Sequence, residues 1–134
     1  MIPIEKKYRF QTKRAVRDYE VDYQGIVNNA NYLHYMEHTR HEFCLAEGLS
    51  FAEMHQKGID PVVCRADISF RNPLSIGDTM ISCLNVMREG PRFVFLQDIY
   101  KEYGTLAAQG KIEIACMENG RLSRGDVLSE TFKI

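Results

Sequence analysis

No apolar run in this sequence approaches the roughly 18 residues that a membrane-spanning helix needs. Neither sign of charge is in excess: Lys plus Arg number 17 against 18 for Asp plus Glu, a net charge of −1. Such a balance leaves no electrostatic footprint for nucleic acid or an anionic membrane. Cysteine is sparse and scattered. Cys44, Cys64, Cys83 and Cys116 never form a C-x-x-C pair, so free thiols in a cytoplasmic protein are expected rather than a disulfide frame. Residues 1–7 carry no apolar stretch followed by a cleavage site, and no signal peptide is expected there. Internal repeats and low-complexity segments are missing. So are the G-x-S-x-G elbow, the Walker A loop and G-x-G-x-x-G. Neither Ser50 nor Cys44 has an identifiable base and orienter.

What is present is one domain's worth of chain, 134 residues, long enough for one core but not two. Residues 8–21 alternate like a first strand. A turn at Gly25 follows. Helical spacing runs over about residues 30–47, with Gly48 as the stop. At 100° per residue Tyr32, Met36, Phe43 and Ala46 share one face, with Thr39 between them. Ser50 opens a short second helix over residues 51–56, ended by Gly58. Four strand-like runs come next: residues 62–71, 79–88, 92–100 and 105–117. In the first, Val62, Cys64, Ala66, Ile68 and Phe70 alternate with Val63, Arg65, Asp67, Ser69 and Arg71 at a period of two. Glu89-Gly90-Pro91, Tyr103-Gly104 and Asn119-Gly120 read as hairpin turns. The tail from residue 121 on is polar and only weakly periodic, and no element is assigned to it. One helix can bury its stripe against an antiparallel sheet that curls around it, which gives an α+β domain. The sheet would keep open edges, so self-association is expected.

The organising stretch is Glu20-Val21-Asp22-Tyr23-Gln24-Gly25-Ile26-Val27-Asn28-Asn29-Ala30-Asn31-Tyr32. It delivers the Asp22 carboxylate close to where the long helix begins. A helix start exposes backbone N–H groups and the positive end of the macrodipole. An acid or nucleophile beside such an anion hole suits attack on an acyl carbonyl, where negative charge develops on oxygen. Asp22 falls too early to cap the helix; Asn28, Asn29 or Asn31 are better placed. That leaves it without an evident structural task. His34-Tyr35-Met36-Glu37-His38 spells H-x-x-E-H, an inverted zinc-protease signature. With His41, however, these histidines lie opposite the apolar stripe and no acidic third ligand follows, so a solvated or subunit-contact face is expected and no metal site. Arg65, Arg71, Arg88, Arg92, Arg121 and Arg124 bracket the strand ends, where edge protection outweighs contact with ligand phosphates.

The motif Asp22-x-x-Gly25-Ile26-Val27-x-x-x-Asn31-Tyr32, with Glu37, Arg40 and Phe43 behind it, resembles the hot-dog-fold thioesterases of the 4-hydroxybenzoyl-CoA thioesterase family. Among them the Tol–Pal-associated acyl-CoA thioesterases look closest. The likeness extends through Gly58-Ile59-x-Pro61-Val62-Val63, Ser69-Phe70-Arg71-Asn72-Pro73-Leu74, Gly77-Asp78 and Gly120-Arg121. It implies a hot-dog fold of five antiparallel strands around one long helix. It further implies dimers that share a continuous sheet, often paired into tetramers, with active sites at the subunit interface. Asp22 matches the family's acidic residue, acting as nucleophile or as base for water, and the backbone N–H of Asn29 would polarise the thioester carbonyl. Gly25, Ile26, Val27, Asn31 and Tyr32 would line the substrate, an acyl-CoA or aroyl-CoA, without a cofactor. Many relatives carry Tyr-His or an aromatic pair where this chain has Asn28-Asn29, which alters the pocket wall but keeps the backbone N–H. A dehydratase would want a His in the 22–32 stretch, and none is there. A non-catalytic acyl-CoA binder and an acyl-carrier-protein thioesterase are the remaining rivals.

Overall fold

The computed structural model describes residues 7–134; the signal-peptide expectation for residues 1–7 falls almost wholly outside them. The order is β1 (Phe10–Ala15), a 3-10 turn (Asp18–Glu20), α1 (Asn29–Ala46), α2 (Phe51–Gln56), β2 (Ile59–Phe70), β3 (Thr79–Glu89), β4 (Arg92–Lys101), β5 (Leu106–Glu118), β6 (Arg121–Leu122) and α3 (Asp126–Phe132). All strand pairings are antiparallel, in the spatial order β1-β3-β4-β5-β2, with the two-residue β6 added beside β5. This is the α+β hot-dog arrangement, a curled sheet against one long helix.

The helix is seated by its apolar stripe and by one glycine. Tyr32, Tyr35, Met36, Thr39, Arg40, Phe43 and Cys44 are its buried residues. Opposite them stand Leu84, Phe95, Ile99 and Ile112 of the sheet, all part of the same core. Gly110 lies directly beneath Met36: a Cβ there would sit 2.7 Å from the Met36 sulfur. A side chain at position 110 would therefore push the Met36 thioether aside. One expectation needs correcting here, and one burial was not foreseen. Ala46 is exposed, not part of the stripe, and Arg40 is buried although it is charged.

The first strand is shorter than the alternation suggested. It is held by β3 from Phe10↔Leu84 to Ala15↔Thr79. Thr79 is also where β3 begins, so past Ala15 one further bond, from the Val16 N–H to Asp78 O at 2.8 Å, closes the pairing before the chain turns at Asp18–Glu20. The even period of two in β2 also fails. The register against β5 slips between Val63 and Arg65, leaving Cys64 in a bulge. Before the bulge Pro61 and Val63 line a cavity over α1. After it Ile68 packs on the core and the Phe70 ring meets Tyr32 at 5.3 Å. The extra residue has switched which parity faces inward. Most side chains of β2 are exposed because it is a sheet edge in this chain.

Residues 121–134, to which no element was assigned, supply β6 and α3. Leu128 and Phe132, one turn apart, are 3% and 1% exposed, and the Phe132 ring lies 5.2 Å from Phe43. Two anchors in a seven-residue helix are too few to produce a readable period.

Candidate active site

The loop between β1 and α1 is a small hairpin, and its geometry follows from four residues. Asp22 accepts the Gly25 N–H through its carbonyl at 3.0 Å and donates its own N–H to Ile26 O at 2.8 Å. Gly25 has φ +81°, which only glycine adopts without strain. This is a type I turn closed by a left-handed residue, the three-residue hairpin loop that favours Asp at its first position. The Asp22 carboxylate completes it: Oδ1 accepts the N–H of Gln24 at 2.8 Å and that of Ile26 at 3.4 Å. Asp22 therefore does have a structural task, contrary to the sequence expectation. Only one carboxylate oxygen is engaged in it.

The hairpin is tied to the helix start. Glu20 O accepts both the Asn28 N–H at 3.1 Å and the Asn31 amide Nδ2 at 2.8 Å. Asn28 is the N-cap, its Oδ1 taking the Ala30 N–H at 3.0 Å. Asn31 donates its backbone N–H to Asn28 O. The N–H of Asn29, the first helical residue, has no partner among the described residues. A helix start leaves such donors for capping groups, water or ligand. On the other side the hairpin leans on the segment after β2: Val27 N–H donates to Leu74 O at 2.8 Å and Ile76 N–H to Gly25 O at 3.0 Å.

A cleft of about 130 Å³ opens there. Ile26, Val27, Asn29 and Tyr32 form one wall, and Phe70, Arg71, Asn72, Pro73 and Ala107 the other. Four of the seven candidate residues are thus gathered around it. Gly25 shapes the turn and Asn31 ties it down; neither is a wall. Asp22 is not a wall either, but it is paired with Ile26, which is. The second wall was not assigned to the site from the sequence, although the Phe70-Arg71-Asn72-Pro73 break marks where β2 leaves the sheet. Asn72 is fixed by an Nδ2 bond to Leu106 O at 2.8 Å. Tyr32 ties its wall to the segment after Pro73, its hydroxyl accepting the Leu74 N–H at 3.0 Å, and burial raises its phenol above the ordinary value.

Other chemistry-bearing residues are occupied elsewhere. Exposed His38 is within 2.7 Å of Glu42 Oε1, one turn on, and the His41 ring stacks 4.7 Å from Phe51. Burial pushes the Cys44 thiol up to about 12, so at neutral pH it is a poor nucleophile. A second cavity, of about 180 Å³, lies beside it further along α1, walled by Arg40, Cys44, Phe51, Val63, Phe95 and Phe132 among others. No helix among the described residues is long and apolar enough to cross a membrane.

A curled antiparallel sheet, one central helix and a polar hairpin at the helix start define the hot-dog class. The chain belongs to the thioesterase-like superfamily, which it matches over residues 16–132. Fold and family together make it a thioester hydrolase. It is 31% identical over 104 residues to the putative acyl-CoA thioesterase YneP of Bacillus subtilis (strain 168), covering 77% of this chain and 75% of that one. It is 39% identical over 71 residues to the chloroplastic acyl-acyl carrier protein thioesterase ATL3 of Arabidopsis thaliana. That match covers 53% of this chain and spans 37% of the plant protein's length. Among solved structures, a hypothetical protein from Aquifex aeolicus superposes with a TM-score of 0.84 at 29% identity, covering 91% of this chain and 98% of the other.

Proposed function

We propose that Asp22 and the Asn29 N–H together hydrolyse an acyl-CoA thioester to the free acid and CoA. The observation that carries this is that one hairpin presents both, the Asp22 carboxylate in its turn and the Asn29 N–H where it enters α1. One oxygen of Asp22 is bound by the turn, which fixes the carboxylate, and no described group bonds to the other. The Asn29 N–H is likewise open, at the positive end of α1. A thioester carbonyl set against that donor gains charge on oxygen as its carbon becomes tetrahedral, and one good donor to it is worth about 10²–10³ in rate. The free oxygen of Asp22 either attacks the carbonyl or takes a proton from the attacking water. Thiolate leaves readily, so no strong general acid is needed. Ile26, Val27 and Tyr32 would hold the acyl group, while Gly25 and Asn31 keep the hairpin in register. The finer likeness to the Tol–Pal-associated type rests on the Asp22-to-Tyr32 motif.

The test is release of free thiol from short-acyl, long-acyl and aroyl esters of CoA, beside the same acyl groups on an acyl carrier protein. Turnover that favours the CoA esters supports the reading. Turnover on the carrier alone replaces it with the carrier-protein enzyme. Tight binding with no turnover replaces it with a non-catalytic binder.

The working unit in this reading is a cytoplasmic homodimer or homotetramer joined along β2. That edge is twelve residues long, and Val62, Val63 and Phe70 are 42%, 49% and 50% exposed on it. A long apolar edge left open is a template for a second strand. Light scattering after size exclusion should therefore give at least twice the chain mass. Lysine at both 62 and 63 should return it to the monomer. A monomeric wild type would remove the dimer from this account.

A further inference from the structure

On the side of α1 away from β2, a cavity of about 200 Å³ lies between β1, the Asp18–Glu20 turn and the helix, lined by Arg14, Ala15, Arg17, Glu20 and Tyr35. Two buried groups in it lack partners. The Arg14 guanidinium buries Nε and Nη2, and neither donates to anything among the described residues. It lies over the face of the Tyr35 ring, 5.3 Å from Cζ to the centroid, and its charge also reaches the Glu42 carboxylate without a hydrogen bond. Tyr35 is only 2% exposed, and its hydroxyl makes no well-formed hydrogen bond, although the Glu20 carboxylate stands close enough to raise its pKa. Buried polar groups are nearly always satisfied, and a ring-face contact returns less than burying a guanidinium removes. The nearby carboxylates do not fill the gap. Glu20 Oε1 accepts the Arg17 N–H at 2.8 Å, and Glu42 is paired with His38.

We propose that this cavity is an oxyanion site that takes a phosphoryl group between the Arg14 guanidinium and the Tyr35 hydroxyl, with Arg17 at its mouth. Nε and Nη2 form one edge of the guanidinium plane and present two parallel donors, the geometry that matches two oxygens of a phosphate or carboxylate. Tyr35 adds a third donor, which a phosphoryl group can meet with its third oxygen and a carboxylate cannot. Burial and the neighbouring Glu20 carboxylate hold the Tyr35 phenol far above its ordinary value, so it remains protonated and able to donate. Two guanidinium groups face one carboxylate in the lining, which leaves an attractive field for an anion. Glu20, part of this lining, is also the residue whose carbonyl holds Asn28 and Asn31. An occupant would therefore brace the hairpin that carries Asp22.

The phosphoryl group could come free from solution or from the pantetheine phosphate of the substrate; the second source rests on the hydrolase reading, the first does not. Thermal unfolding is followed in inorganic phosphate and in potassium chloride of equal ionic strength. Saturable stabilisation by phosphate beyond chloride is expected in the wild type. Arg14→Met, which keeps the stack on Tyr35, should weaken phosphate binding at least tenfold, and Tyr35→Phe severalfold. Exposed Arg17→Gln should weaken it without affecting folding, and decides the matter should Arg14→Met fail to fold. Equal stabilisation by both salts, or an unchanged phosphate response in these variants, overturns the site. To separate the sources, KM is compared for an acyl-CoA and for the same acyl group on N-acetylcysteamine, which has no phosphate. A rise of at least tenfold in Arg14→Met for the CoA ester alone assigns the phosphoryl group to the substrate. Unchanged KM for both in phosphate-free buffer assigns it to free phosphate. Failure of every thioester to turn over would remove the hydrolase reading and leave the unfolding experiment to stand alone.

Discussion

Asp22→Asn is expected to lower kcat for an acyl-CoA by about 10²–10⁴-fold, the span a positioned proton-transfer group contributes, while leaving the melting temperature where it was. The hairpin is what makes this substitution clean. Asp22 works in the turn through Oδ1, accepting the N–H groups of Gln24 and Ile26. An asparagine amide carries the same carbonyl oxygen and is equally favoured at that turn position. What it removes is the charge and basicity of the second oxygen, which the turn does not use. Asp22→Ala differs: it loses the turn acceptor as well, at about 1 kcal/mol by analogy with losing a capping side chain. Its lowered rate would mix a displaced hairpin with a missing carboxylate. Comparing the pair separates the two tasks. Should Asp22→Asn turn over at the wild-type rate, Asp22 is a turn residue only, and the hydrolytic role passes to another group. Loss of kcat with KM nearly unchanged is the signature of an interaction made in the transition state.

The same residue shows how far the sequence could be read. Asp22-x-x-Gly25 was legible as a turn followed by a helix, because glycine and the asparagines punctuate locally. That Asp22 also builds the turn was hidden, since an Asx contact depends on which way one side chain swings. The long helix and β2 to β5 were legible to within a few residues because their periods extend over many turns and pairs. β2 misled for the opposite reason: Cys64 is an ordinary residue in an unbroken alternation, and only its pairing with β5 reveals that it is the extra one. The cleft was half legible. Its helix wall lies in one stretch of chain. Its other wall, from Phe70 to Pro73 and Ala107, arrives through sheet register, which no local pattern encodes. Arg40 was the least legible of all, since a lone arginine on a helix reads as solvated until its partner is seen across the core.

That partner gives the second large effect: Gln97→Leu is expected to cost about 3–5 kcal/mol of stability. Arg40 is 8% exposed, burial lowers its pKa, and its Nη1 donates to Gln97 Oε1 at 2.9 Å. Gln97, fully buried on β4, passes its own Nε2–H to Met36 O at 3.0 Å, so it stitches the helix to the sheet twice. Leucine fits the volume but strands a buried guanidinium, which is the expensive half of any buried pair. Against a total stability of about 5–15 kcal/mol, the loss should lower the melting temperature by roughly 10–20 °C for a domain of this size. Arg40→Met alone leaves only a neutral amide short of one donor, a loss of about 1–3 kcal/mol. Combining the two removes both polar groups and fills the gap with apolar ones, so the double variant should be more stable than Gln97→Leu. Chemical denaturation of the four proteins measures the coupling between the sites, expected to be between 0.5 and 3 kcal/mol in magnitude, as for contacting pairs (~). Additive losses would mean that the Arg40 head group already reaches water through the neighbouring cavity, and that Gln97 stabilises the helix through Met36 alone.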